Sequence, residues 1–248
     1  MNQFSEKYLK QLADQKKLLA WLIDPDKYED ERWNDSYRTY EKISDIILVG
    51  GSLIFKGVVS EVCKKIKLKT AKPVILFPGN SMQVCGEADA ILFLSLVSGR
   101  NPEYLINQQV MAAPEIKRHK LEVLPTAYLI ISSQNMTTAH YISQTLPIPA
   151  DKPEIAAVTS LAARYLGMRH FYLDAGSGSA KPVSEEMIAT VKKEIADHLL
   201  WIGGGIKSAE DIIKAWRAGA DVVVVGSMFE NNLELNHHIS LIMNFQER

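Results

Sequence analysis

Eight short apolar runs recur along this chain, and they limit its possible folds more than any other feature. They are Leu18 to Ile23, Ile46 to Val49, Val74 to Phe77, Ala90 to Leu96, Leu121 to Ile131, His170 to Leu173, Leu199 to Ile202 and Val222 to Val225. By pattern each reads as a strand buried on both faces, which is the mark of parallel sheet. Parallel neighbours need long crossovers, and amphipathic segments separate most of the runs. Several of these segments carry helix-end chemistry. Asn101 stands as an N-cap before Pro102, and Ser184 precedes Glu185-Glu186. Ser208 and Asp211 have capping-box spacing, and Gly167 and Gly219 fit helix stops. Eight β/α units in 248 residues is the count of a single (β/α)8 TIM-type barrel, with residues 1–248 as one domain. The connection from Ser81 to Asp89 is too short for an ordinary crossover helix, so the barrel is expected to be modified around its third β/α unit. An open doubly wound sheet would need its glycine turn after the first strand, where this chain has Asp24-Pro25-Asp26.

Composition removes whole classes of function. A net charge of −1 provides no basic field for nucleic acid. The stretch Met1 to Lys17 is polar and lacks the apolar core of a secretion signal, and no run approaches the roughly 20 residues of a membrane span. Membrane contact is therefore expected to be peripheral at most. Cys63 and Cys85 have no metal-type spacing and read as reduced packing residues of a cytoplasmic protein.

The ends of the late strands carry the chemistry. Tyr172-Leu173-Asp174 leads into the small-residue turn Ala175-Gly176-Ser177-Gly178, and further glycine turns follow at Gly203-Gly204-Gly205 and Gly226-Ser227. Such turns let backbone N–H groups approach an anion. In a (β/α)8 barrel the loops after strands seven and eight often hold phosphate at the C-terminal face. The Tyr172 hydroxyl and the Asp174 carboxylate beside them can grip the hydroxyls of a small polyol. At the first strand end, Asp24 suits a hard cation such as Mg²⁺, and Ser52 can add an oxygen or anchor a metal-bound water. Asp26 reads rather as a solvated turn residue. Arg100 either meets a diphosphate or is an exposed loop arginine. Trp21 and Trp201 read as core, and His119, His140 and His170 as structural or surface residues. The long segment Ser132 to Lys152 reads as a substrate-facing flap.

Together, Leu22-Ile23-Asp24-Pro25-Asp26-Lys27, Tyr172 to Gly178, Trp201-Ile202-Gly203-Gly204-Gly205-Ile206 and Val225-Gly226-Ser227 resemble the geranylgeranylglyceryl phosphate synthase family, which includes the bacterial heptaprenylglyceryl phosphate synthases. The resemblance implies a modified (β/α)8 barrel. It implies a prenyltransferase that joins a long-chain prenyl diphosphate, geranylgeranyl diphosphate first among them, to the 3-hydroxyl of sn-glycerol 1-phosphate, with Mg²⁺ present. The product is an ether lipid precursor, and diphosphate is released. By position it implies Asp24 and Ser52 as Mg²⁺ ligands and Tyr172 and Asp174 as catalytic residues. Tyr172, Leu173, Asp174, Ala175, Gly176, Ser177, Gly178, Gly203, Gly204, Gly226 and Ser227 would bind glycerol phosphate. It also implies a homo-oligomer. One departure stands out: family members often carry Glu at the position of Asp174, which is one methylene shorter. The prenyl groove is expected near the fourth- and fifth-strand loops.

Two other readings compete. A sugar-phosphate isomerase barrel needs an acid and a base facing across the mouth, but strand five ends in Ile130-Ile131-Ser132-Ser133. A flavin-binding barrel would share the phosphate loops. A catalytically silent phosphate- or lipid-binding barrel is the reading that Asp174 encourages.

Overall fold

The computed structural model describes residues 4–34, 36–133, 136–230 and 235–246. Its strands are β1 (Leu18–Ile23), β2 (Ile46–Val49), β3 (Val74–Leu76), β4 (Ala90–Leu96), β5 (Glu122–Ile130), β6 (His170–Asp174), β7 (Leu199–Gly203) and β8 (Val222–Val225). They close into one barrel in chain order with every neighbour parallel, β8 pairing back to β1. This is a TIM barrel, and each strand lies within one residue of its expected ends.

Strand alternation divides the core in two. Leu18, Ala20, Ile46, Leu48, Ile75, Leu92, Leu124, Tyr172, Trp201 and Val224 point into the barrel. Their neighbours Leu19, Trp21, Ile47, Val49, Ile91, Leu173, Leu200 and Val223 face the helical layer. Both sets are buried, which is why the strands read as unbroken apolar runs. The polar N-terminus, for which the sequence suggested no element, forms α1 (Glu6–Gln15), capped by Ser5. Its Leu9 packs with the interior residues of the barrel.

The outer layer contains α2 (Ser36–Ile43), α3 (Val59–Lys67), α4 (Gln108–His119), α5 (Thr138–Ser143), α6 (Pro153–Tyr165), α7 (Glu185–Ile195), α8 (Ala209–Arg217), α9 (Ser227–Glu230) and α10 (Leu235–Gln246). The expected caps form: Ser184 accepts from the Met187 N–H, and Ser208 and Asp211 make a reciprocal capping box. Two expected helices are divided. The segment from Glu31 to Ser44 is a 3-10 turn, Asp30–Asn34, followed by α2, and position 35 lies outside the described residues. The closing segment is α9 then α10, with 231–234 outside the described residues. The third unit departs from the repeat as expected, because only the 3-10 turn Ser81–Gln83 joins β3 to β4. After β4 the chain winds a π turn, Glu103–Asn107, into α4. The flap contains α5, and a parallel bridge from Ile131 to Ile148 pins it to the end of β5. Among the described residues no helix is long and apolar enough to cross a membrane.

Candidate active site

Alternation along the strands aims a small set of polar side chains into the C-terminal mouth. On β6, His170, Tyr172 and Asp174 share the inward phase, and on β1 the phase of Leu18, Ala20 and Leu22 extends to Asp24. The mouth opens into a cavity of about 470 Å³, within the usual range for small-molecule sites. Asp24, Ser52, Tyr172, Asp174, Ser177, Gly204, Gly226 and Ser227 all line it. The structure thus gathers residues from five strand ends around one space. Leu173 and Ala175 do not reach it with their side chains, which are buried in the barrel–helix layer. Gly203 lies beneath it: a Cβ there would sit 2.1 Å from the Tyr172 hydroxyl. Gly176 does not offer its N–H to a ligand, since that N–H donates to Asp174 Oδ1 at 2.6 Å.

Asp174 is held at both oxygens. Oδ1 accepts from Gly176, and Oδ2 accepts from the Tyr128 hydroxyl at 2.5 Å. Burial raises the Asp174 carboxyl above its ordinary range, and these two hydrogen bonds oppose the rise. Burial and the nearby Asp174 charge push both Tyr128 and Tyr172 well above the usual phenol value, so both are neutral donors. Phe77, Tyr128 and Tyr172 form an aromatic floor, with Phe77 and Tyr172 stacked at 4.9 Å.

The two aspartates of the first strand end separate into different tasks. Asp26 is not a solvated turn residue: its carboxylate accepts the N–H groups of Phe55, Lys56 and Gly57 at 2.8, 2.9 and 2.6 Å, which clamps the β2–α3 loop. Those backbone bonds hold its carboxyl below its ordinary value. Asp24 accepts from the Asp26 N–H at 3.0 Å, and its other oxygen lies 3.9 Å from Lys27 Nζ. Its side chain is partly open to the cavity, with Gly51 and Ser52 across from it. One carboxylate and one hydroxyl suit a cation that keeps most of its water, as Mg²⁺ does. No cluster of three or more His, Cys, Asp or Glu side chains occurs among the described residues, which matches the absence of transition-metal chemistry in the donor set. Arg100 is exposed, lies outside the cavity lining and donates to Gly99 O at 2.7 Å.

The cavity continues sideways. The missing helix between β3 and β4 exposes both faces of the upper half of β4, so outward Ile91 and Phe93 line the space together with inward Leu92 and Leu94. Val84, Tyr104 and Ala112 complete an apolar channel between β4 and α4, while Ala139 and Ile142 of α5 form its rim. The groove therefore lies at the β3–β4 gap and α4, with the flap bordering it.

A sequence model described as the PcrB family matches residues 11–245. The chain belongs to the PcrB family. It is 45% identical over 229 residues to the geranylgeranylglyceryl phosphate synthase of Spirosoma linguale, a match covering 92% of each chain. The protein of the same name from Pyrococcus furiosus is 43% identical over 228 residues, covering 91% of this chain and 90% of its own. The crystal structure of (S)-3-O-geranylgeranylglyceryl phosphate synthase from Thermoplasma acidophilum, in complex with its substrate sn-glycerol-1-phosphate, gives a TM-score of 0.89 at 31% identity, covering 99% of this chain and 100% of that one.

Two site residues of this PcrB-family chain escaped the reading of its sequence. Tyr128 lies mid-strand in an apolar run, and only the inward phase of β5 marks it. His140 on α5 is buried, and its Nε2 has no hydrogen-bond partner among the described residues. Burial lowers its pKa, and the Asp174 charge opposes that shift. His140 sits in the flap, where no periodic pattern signals which side chains turn inward.

Proposed function

We propose that this chain transfers a prenyl group from a prenyl diphosphate to the 3-hydroxyl of sn-glycerol 1-phosphate. The observation that carries the reading is one continuous space with a polar, glycine-lined end at β6–β8 and an apolar channel at β4–α4. A phosphate fits the turns around Ser177, Gly204, Gly226 and Ser227. A long isoprenoid fits the channel. The names of the relatives favour a geranylgeranyl chain.

In the reaction the bond between the prenyl carbon and the diphosphate oxygen breaks, with positive charge building on carbon. The glycerol oxygen forms the new ether bond and loses its proton. Tyr172 and Asp174 hold the glycerol in line with that carbon, which converts a bimolecular encounter into a positioned one. Asp174, raised by burial yet fixed by two donors, accepts the hydroxyl proton. The aromatic floor of Phe77, Tyr128 and Tyr172 excludes water and faces the cationic carbon. Asp24, with Ser52 beside it, would hold Mg²⁺, which when bound supplies positive charge against the leaving diphosphate. The homo-oligomeric state and cytoplasmic location expected from the sequence belong to the same proposal.

Incubation with MgCl₂, labelled sn-glycerol 1-phosphate and a series of prenyl diphosphates tests the reading. A prenylglyceryl phosphate is the expected product. No product with any chain length would overturn it.

A further inference from the structure

We infer that the groove half of the barrel mouth docks on an anionic lipid bilayer, so that the prenyl chain passes between membrane and channel without crossing water. The inference rests on the prenyl substrate proposed above.

The mouth is chemically lopsided. Phe55 in the β2–α3 loop, Met82 in the β3–β4 turn, and Tyr141 and Leu146 in the flap after β5 are 82%, 88%, 72% and 88% exposed. All four stand on connections that leave the C-terminal ends of strands bordering the channel. Phe55 itself lines the cavity, and Tyr141 adjoins the lining residue Ile142. Among the described residues, no large exposed apolar side chain lies in the loops that follow β6 and β7, the half that carries the phosphate turns. Exposed apolar side chains scattered singly are ordinary, whereas a set gathered around the opening of an apolar channel points to a partner.

The chemistry of that partner follows from two features. The apolar rim is continuous with the channel, so whatever covers the rim also meets a tail leaving the channel. Lys56 beside Phe55 and Arg100 in the loop after β4 are exposed cations on the same half. Apolar side chains flanked by cations, with a tyrosine among them, match the interfacial zone of a membrane containing anionic headgroups. Asp26 stiffens the loop that presents Phe55 and Lys56 through its three backbone hydrogen bonds, so the rim is presented preformed.

The test is sedimentation of the full chain with vesicles of phosphatidylcholine and phosphatidylglycerol in equal parts, without substrates. The protein should partition onto them, and less onto phosphatidylcholine alone. The triple variant Met82→Ser, Tyr141→Ser, Leu146→Ser should lose partitioning by about tenfold or more. None of these three side chains lines the cavity, so turnover of a short, freely soluble prenyl diphosphate should be retained. Leu166→Ser, at an equally exposed leucine on the flank of the barrel just past α6, should leave partitioning unchanged. No partitioning of the unsubstituted chain, or equal loss with Leu166→Ser, would overturn the inference. So would a triple variant that changes from dimer to monomer with partitioning intact, which would assign the rim to a second copy of the chain. Absence of turnover in both proteins with rim-dependent partitioning would overturn the reading of the reaction and leave the docking face standing.

Discussion

The Tyr128 hydroxyl donates to Asp174 Oδ2 at 2.5 Å, from one strand to the next. Tyr128 is in register with Tyr172, and Ile130 with Asp174, so this is a diagonal pair on the inward face of β5 and β6. The bond lowers the Asp174 carboxyl against the larger upward push of burial. Turnover that needs the carboxylate should therefore rise with pH along a limb above the ordinary aspartate range of about 3.9. Tyr128→Phe removes an opposing term, so it should move that limb higher and leave the affinity for prenyl diphosphate little changed. Asp174→Asn should lose roughly 10²–10⁴-fold in kcat and show no such limb. Rate profiles of the three proteins across pH provide the check.

Asp24→Asn should abolish turnover while glycerol phosphate still binds, because the phosphate turns lie on β6–β8 and Asp24 on β1. Calorimetry supplies the binding arm. Electron paramagnetic resonance with Mn²⁺ in place of Mg²⁺ supplies a metal readout independent of activity. Full activity in the variant would remove the metal assignment.

Gly204 is fixed by its surroundings. Its φ is +80°, and an added Cβ would lie 2.4 Å from the Gly176 nitrogen and 2.6 Å from Asp174 Oδ1. Gly204→Ala should push the two phosphate turns apart and displace the carboxylate. The expected cost is about 1–3 kcal/mol of stability with a marked loss of glycerol phosphate affinity. Thermal unfolding and calorimetry measure the two effects separately.

At the opposite end of the barrel, Trp201 Nε1 donates to His170 Nδ1 at 3.2 Å, and His170 Nε2 lies 3.0 Å from Glu6 of α1. An indole N–H only donates, so His170 is the neutral Nε2–H tautomer. Burial lowers its pKa, consistent with that form. For Glu6, burial works to raise the pKa, but hydrogen bonds from His170 and Arg169 outweigh it and lower it from 4.5 to about 2. Both groups have depressed folded values. Stability should hold at neutral pH, decline below about 6.5 as the unfolded chain takes up protons on histidine, and decline further between 4.5 and about 2. Glu6→Gln should cost roughly 1.5–3 kcal/mol at neutral pH. In denaturant titrations that difference should shrink as the pH falls through the carboxylate window.

The strands were legible because burial on both faces leaves unbroken apolar runs, and the glycine turns because their sites admit no side chain. The missing third helix was legible from the length of its connection. Tyr128 was not, since a tyrosine inside an apolar strand gives no sign of its inward phase until the register is known. Nor was the role of Asp26, because its partners Phe55, Lys56 and Gly57 lie about thirty residues along the chain. The network at His170 was hidden for the same reason: its carboxylate comes from α1, a short polar segment whose burial depends on the closed barrel.

A crystal structure of this chain with sn-glycerol 1-phosphate tests the central claim most directly. The account predicts the phosphate among the turns at Ser177, Gly204 and Gly226-Ser227, with the glycerol hydroxyls against Tyr172 and Asp174 and the 3-hydroxyl facing the apolar channel. A phosphate bound elsewhere, or a 3-hydroxyl turned away from the channel, would contradict it.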